Sequence, residues 1–169
     1  MKYIFSLLLV FPLFARCQDC SLKKETDKFS QQPHLTSGLV PFKAMKNPFD
    51  LSVEVTPTDI DILFSLNGYG DSKCFDDAST LTVQFDSTRT KLFLRNSGSM
   101  NCDGNFHLSF RNTATPNYNL QRLSNFKINT LRFTNDKIVS EVLLTPEQKQ
   151  LFQRIIACII SQAPTLIKQ

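Results

Sequence analysis

The sequence predicts a mainly β domain, an antiparallel sandwich or open barrel, with one C-terminal α-helix packed on the sheet. Three observations predict it. Apolar residues alternate with polar ones through most of the chain from Phe49 to Leu144. Loops rich in Gly, Asn, Asp and Pro separate those runs at short intervals. The alternation gives way after Thr145 to a helical spacing that persists almost to the end. Strict alternation places one face of each strand in a core and the other in solvent. Short loops between such strands favour hairpins over βαβ crossovers.

The N-terminus comes before any of this. Lys2 supplies a positive charge, and Tyr3 to Phe14 form a nearly unbroken apolar run. Ala15-Arg16-Cys17 then places small residues at −3 and −1 of a cleavage before Gln18. That is the three-part pattern of a secretory signal peptide over residues 1–17. The run is too short for a bilayer, which takes about 20 residues. Acylation of Cys17 is disfavoured because Arg16, neither small nor neutral, precedes it. Cleavage leaves 18–169 as a single domain, secreted or periplasmic.

Residues 18–48, interrupted by Pro33, Pro41 and Pro48, read as an extended lead-in, with Leu39 to Phe42 as a short edge strand. Leu51, Val53 and Val55 then alternate with Ser52, Glu54 and Thr56. Ile60, Ile62, Phe64 and Leu66 repeat the pattern beyond a turn at Pro57-Thr58-Asp59, so the two runs form a hairpin. Asn67 to Asp71 is dense in turn formers. Leu81, Val83 and Phe85 lead into a polar turn at Asp86 to Arg89, and Leu92 and Leu94 return from it. Phe106, Leu108 and Phe110 make the next strand. After a Thr/Asn/Pro-rich loop, Phe126 to Phe133 and Ile138 to Leu144 supply the last two, for six to eight strands in all.

The helix is predicted over about 146–162. Leu151, Phe152, Ile155, Ile156, Ile159 and Ile160 fall on one helical face. Thr145 is the N-cap, Pro146 suits the first turn, Gln148 completes a capping box and Pro164 marks the stop. The chain holds 15 Phe and no Trp, so phenylalanine is the expected filling of the core.

Composition narrows the function classes. The formal net charge of the whole chain is +4, and Lys2 and Arg16 leave with the signal. The remaining basic residues are scattered, which argues against nucleic acid as a partner. No later segment is apolar enough to span a membrane. Outside Cys17 the cysteines are Cys20, Cys74, Cys102 and Cys158, an even set that in an exported chain implies disulfides. Cys74 and Cys102 lie almost equidistant from Ser87-Thr88, so a hairpin folded there brings them to one end. The expected pairs are Cys74–Cys102 and Cys20–Cys158. A zinc site is disfavoured by the lack of a CxxC pair and the presence of only two His.

Asp71, Asp76, Asp77 and Asp103 gather near the expected Cys74–Cys102 bridge. Calcium needs several such oxygens in one loop, but the spacing does not fit the twelve-residue calcium loop. Aspartate in loops is first of all a turn former. Phe85-Asp86-Ser87-Thr88 has the Asp-Ser/Thr of aspartic proteases without its Gly and without a second copy, so a turn is the better reading. His107 is expected on the solvated face of a strand, and His34 in an irregular segment. No Gly-x-Ser-x-Gly or other nucleophile motif is present, and no cofactor motif. A non-enzymatic binding or structural module of the envelope or extracellular space, with a protein or glycan partner, is therefore expected. The rival is an envelope hydrolase with an acidic site at Asp71, Asp76, Asp77 and Asp103. A small-ligand carrier would need a cavity lined by phenylalanines.

Asp27-Lys28-Phe29, Val83-Gln84-Phe85-Asp86, Ile128 to Arg132 and Cys158 form a further pattern. In these the chain resembles a loose group of small exported, uncharacterised proteins of Bacteroidota-type bacteria. The group's turn usually continues with Gly, where this chain has Ser87-Thr88. The resemblance implies export and a β-rich fold, and it carries no catalytic residues.

Overall fold

A computed structural model describes residues 22–44, 46–67, 74–86, 89–136 and 139–167. The expected signal peptide at 1–17, its cleavage before Gln18, Cys17, Cys20 and Asp71 lie outside these residues. The described chain is mainly β and forms two antiparallel sheets. The first holds β1 (Lys23–Thr26), β2 (Pro33–Phe42), β3 (Phe49–Val55), β4 (Asp59–Leu66) and β7 (Asn105–Arg111), in the order β1-β2-β3-β4-β7. The second holds β5 (Thr80–Phe85), β6 (Lys91–Arg95), β8 (Ile128–Thr134) and β9 (Val139–Leu143), in the order β6-β5-β8-β9. Neither closes on itself, and the sandwich alternative is the one adopted.

The alternation in sequence becomes burial directly. On β4, Ile60, Ile62, Phe64 and Leu66 are buried while Asp59, Asp61, Leu63 and Ser65 are half-exposed. The inner faces meet through aromatic rings. Phe133 of β8 lies edge-on to Phe64 of β4 at 5.4 Å and to Phe106 of β7 at 5.3 Å, joining the two sheets. Phe75 packs edge-on to Phe106 at 5.2 Å. Edge-to-face contact sets the positive rim of one ring against the negative face of another, adding to what burial contributes.

The helix forms where predicted. α2 (Pro146–Gln162) starts with the full capping box, the Thr145 hydroxyl accepting from the Gln148 backbone and the Gln148 side chain accepting from the Thr145 N–H. Its apolar stripe faces inward, and Phe152 stacks on Phe64 at 6.2 Å and meets Phe42 edge-on at 6.1 Å. Pro164 sits in a 3₁₀ turn, Ala163–Leu166, that follows the helix.

Four features depart from the sequence reading. A short helix α1 (Tyr118–Asn125), capped by the Asn117 side chain, lies in the Thr/Asn/Pro-rich stretch whose composition predicts a loop, and packs against α2. Its core contacts are Leu120 and Leu123, one short patch too brief for a periodicity to register. β1 is exposed throughout and has no buried face to pattern. With it the described residues hold nine strands, above the expected range. The expected edge strand begins earlier, at Pro33. Only its first part pairs with β1, so Leu39 to Phe42 does run along an edge. A bulge between Thr36 and Leu39 separates the two parts. Gly38 turns it with a φ of 61°, a conformation open to glycine, and the Ser37 hydroxyl takes over a ladder position by accepting from Val53 N–H.

Because Phe133 bridges the sheets, Phe133→Ala is expected to cost about 3–5 kcal/mol in urea denaturation. Phe93→Ala, on the solvent side of the same sheet, should change stability by no more than about 0.5 kcal/mol.

Candidate functional site

The acidic residues singled out by the sequence do not share one role. Asp76 is bound into its own turn, where its carboxylate accepts from the N–H groups of Ala78 and Ser79 and from the Ser79 hydroxyl at 2.7 Å. That hydroxyl, chiefly, and then the backbone donors hold the Asp76 carboxyl below the usual carboxylate range. Asp77 and Asp103 are exposed. Among the described residues no group of three or more His, Cys, Asp or Glu is placed to hold a metal ion. Asp86, in the protease-like tetrapeptide, instead pairs with Lys149 at 2.7 Å, and Lys149 also donates to Asn129.

The predicted Cys74–Cys102 disulfide is present, and the chain beside it pairs, Phe75 and Asn101 exchanging backbone hydrogen bonds. Cys158 is also disulfide-bonded; the expected partner, Cys20, lies outside the described residues.

A concavity among the described residues lies elsewhere, on the outer face of the first sheet. It has a volume of about 370 Å³. Its floor comes from outward positions of adjacent strands: Ser52 and Glu54 on β3, Asp61 and Leu63 on β4, Asn105 and His107 on β7. The strand register explains the grouping, because Glu54 stands opposite Asp61, and Ser52 opposite Leu63, which in turn stands opposite His107. Its wall is the loop after β6, contributing Gly98, Ser99 and Asn101.

That wall is fastened along the free edge of β7. Ser97 N–H donates to the His107 carbonyl, His107 N–H to the Asn96 side chain, and Ser109 N–H to the Ser97 hydroxyl. Asn96 is buried and also donates to the carbonyls of Asp76 and Gly98. Asn101 and Asn105 lock together by two reciprocal bonds. Gly98 lies so close that a Cβ there would come within 3.2 Å of the His107 Cβ.

His107 is not simply solvated. Its Nε2 stands 2.9 Å from Asp61 Oδ1, and the two side chains are 30% and 34% exposed. Sequence gave no sign of the pair, since β4 and β7 are joined only after β5 and β6 have been laid into the other sheet. The groove thus offers two carboxylates, two serine hydroxyls and an imidazole around an apolar floor position at Leu63, with no lysine or arginine among its described lining residues. Such a lining suits hydrogen-bond donors and cations. Most of the described phenylalanines fill the core, Phe29, Phe93 and Phe126 are exposed, and none is among the described residues that line the groove.

The Asp76 turn yields a pH-dependent expectation. A carboxyl held below its unfolded value stabilises the fold above the ordinary carboxylate range, and that stability is lost as pH falls through it. Ser79→Ala should therefore raise the Asp76 carboxyl toward the ordinary range in an NMR titration. It should also lower stability at neutral pH by more than it does below about pH 3, where Asp76 is protonated in the unfolded chain. No protein-family model, curated protein or solved structure matches this chain.

Proposed function

We propose that this is an exported protein whose single domain, 18–169, acts in the envelope or outside the cell as a non-enzymatic binding or structural module, with the outer-face groove as its contact surface. One observation carries the reading. The groove gathers polar groups from three strands and a fastened loop, yet the His107 ring is bonded to Asp61, the Asn101 side chain to the backbone of β7 and the Asn105 side chain to the Ser65 hydroxyl. Nucleophilic catalysis asks for a hydroxyl or thiol held against a base. In the groove the bonded partner of the His107 ring is Asp61.

Export is supported by the pattern of residues 1–17, and by oxidised Cys74, Cys102 and Cys158, since disulfides persist in oxidising compartments. No helix among the described residues is long and apolar enough to cross a membrane. The resemblance to small exported proteins points the same way.

The test uses the oxidised chain beginning at Gln18 against a panel of oligosaccharides and peptides, with binding followed by NMR shifts. A ligand is expected to perturb β3, β4 and β7 and to be recovered chemically unchanged. Ser52→Tyr, which fills the groove, should abolish that binding, whereas Asp77→Asn and Asp103→Asn should leave it intact. Turnover of a panel member that is lost on Asp103→Asn or Asp61→Asn would overturn the reading in favour of a hydrolase.

A further inference from the structure

The two outer faces of the sandwich carry opposite charge. On the first sheet, Asp50 and Glu54 of β3 and Asp59 and Asp61 of β4 point outward, opposed by Arg111 of β7 and accompanied by His107, while Lys23 and Glu25 of β1 add one charge of each sign to the same face. On the second sheet, Lys91 and Arg95 of β6 and Arg132 of β8 point outward, opposed by Glu141 of β9. Between these faces the apolar residues also match. Phe93 stands on β6 between Lys91 and Arg95 and is 68% exposed. The groove has Leu63 on its floor, and Leu39, 70% exposed, lies next to Ser52 at its rim.

We propose that the occupant of the groove is a second copy of this chain, whose basic face docks on the acidic face of the first. Phe93 of one copy seats over Leu63 of the other, and Lys91, Arg95 and Arg132 face Glu54, Asp61 and Asp50. The inference rests on the groove being the contact surface. The geometry is favourable at the level of single residues. Phe93, Thr82 and Arg132 lie in one row across β6, β5 and β8, so the ring and the guanidinium project from one flat surface. Arg95 is steadied by donating to the Asp77 carbonyl. Glu54 and Asp61 stand directly opposite each other, an arrangement of like charges that a cation between them relieves.

The two faces differ and lie on opposite sides of one molecule. The contact is therefore heterologous and leaves a free acidic face and a free basic face at the ends. It propagates into a stack. Exposed charges separated by more than about 10 Å are screened at 0.1 M salt, so the association is salt-sensitive.

Sedimentation velocity of the oxidised chain from Gln18, over a range of concentration and at low and high salt, tests this. Mass is expected to rise with concentration at low salt and return to monomer at high salt. Glu54→Lys spoils the acidic face and Phe93→Ser the basic one, both at exposed positions; each variant alone should be monomeric with an unchanged melting temperature. Mixed in equal amounts they should form a dimer that grows no further, since each supplies the intact face the other lacks. A monomer under all conditions overturns the inference, as does an association that is indifferent to salt or survives both substitutions. In those cases, binding of a panel ligand that Ser52→Tyr abolishes would leave the groove standing as a contact surface for another partner; absence of both would remove the two readings together.

Discussion

The meeting of Phe133 with Phe64 and Phe106 is the contact through which two separate sheets become one fold. Neither sheet closes, so each has an apolar face that needs a cover. The rings supply it, with Phe152 of α2 and Phe42 extending the cluster to the helix. Phenylalanine suits this work because it buries a large area without a polar atom to satisfy. Tyr and Trp would each bring a group in need of a partner. The groove lies away from these rings, on the outer face of the first sheet.

The outer face gains its depth from a loop. An edge such as β7 presents unpaired backbone groups that invite another strand. Here the stretch from Asn96 to Asn101 covers it, and Asn96 is the hub. Bonding the amide of a buried asparagine on both sides offsets the cost of its desolvation, and this one joins the Asp76 turn, Gly98 and β7. The Cys74–Cys102 bridge fixes the far end of the same loop. The wall is thus bound to the sandwich by covalent and polar links, and Phe75, whose backbone pairs with Asn101, joins it to the aromatic seam through Phe106 and Phe133.

Much of the architecture was legible in the chain. The alternating runs gave the hairpin of β3 and β4, and Thr145, Pro146 and Gln148 gave the start of α2. Near-equal spacing about one turn gave Cys74–Cys102. What failed did so for physical reasons. β1 buries nothing, and α1 needs only Leu120 and Leu123 to hold it, so neither leaves a periodic trace. The site was less legible than the fold. Aspartates close together in sequence near the bridge drew attention, yet Asp76 serves its turn. Asp61 and His107, far apart in sequence, meet because β4 and β7 pair across a long crossover. Alternation tells which face a residue takes and not which strand lies beside it.

If the groove is a preformed surface, its wall must be a local unit separable from the core. Amide hydrogen exchange on the Cys74→Ser/Cys102→Ser double variant measures this directly. The account predicts faster exchange at Phe75, Ser97 and Asn101, with Ile62, Val83 and Leu131 in the central strands still protected. Uniform loss of protection across both sheets, or no change at Ser97 and Asn101, would contradict it.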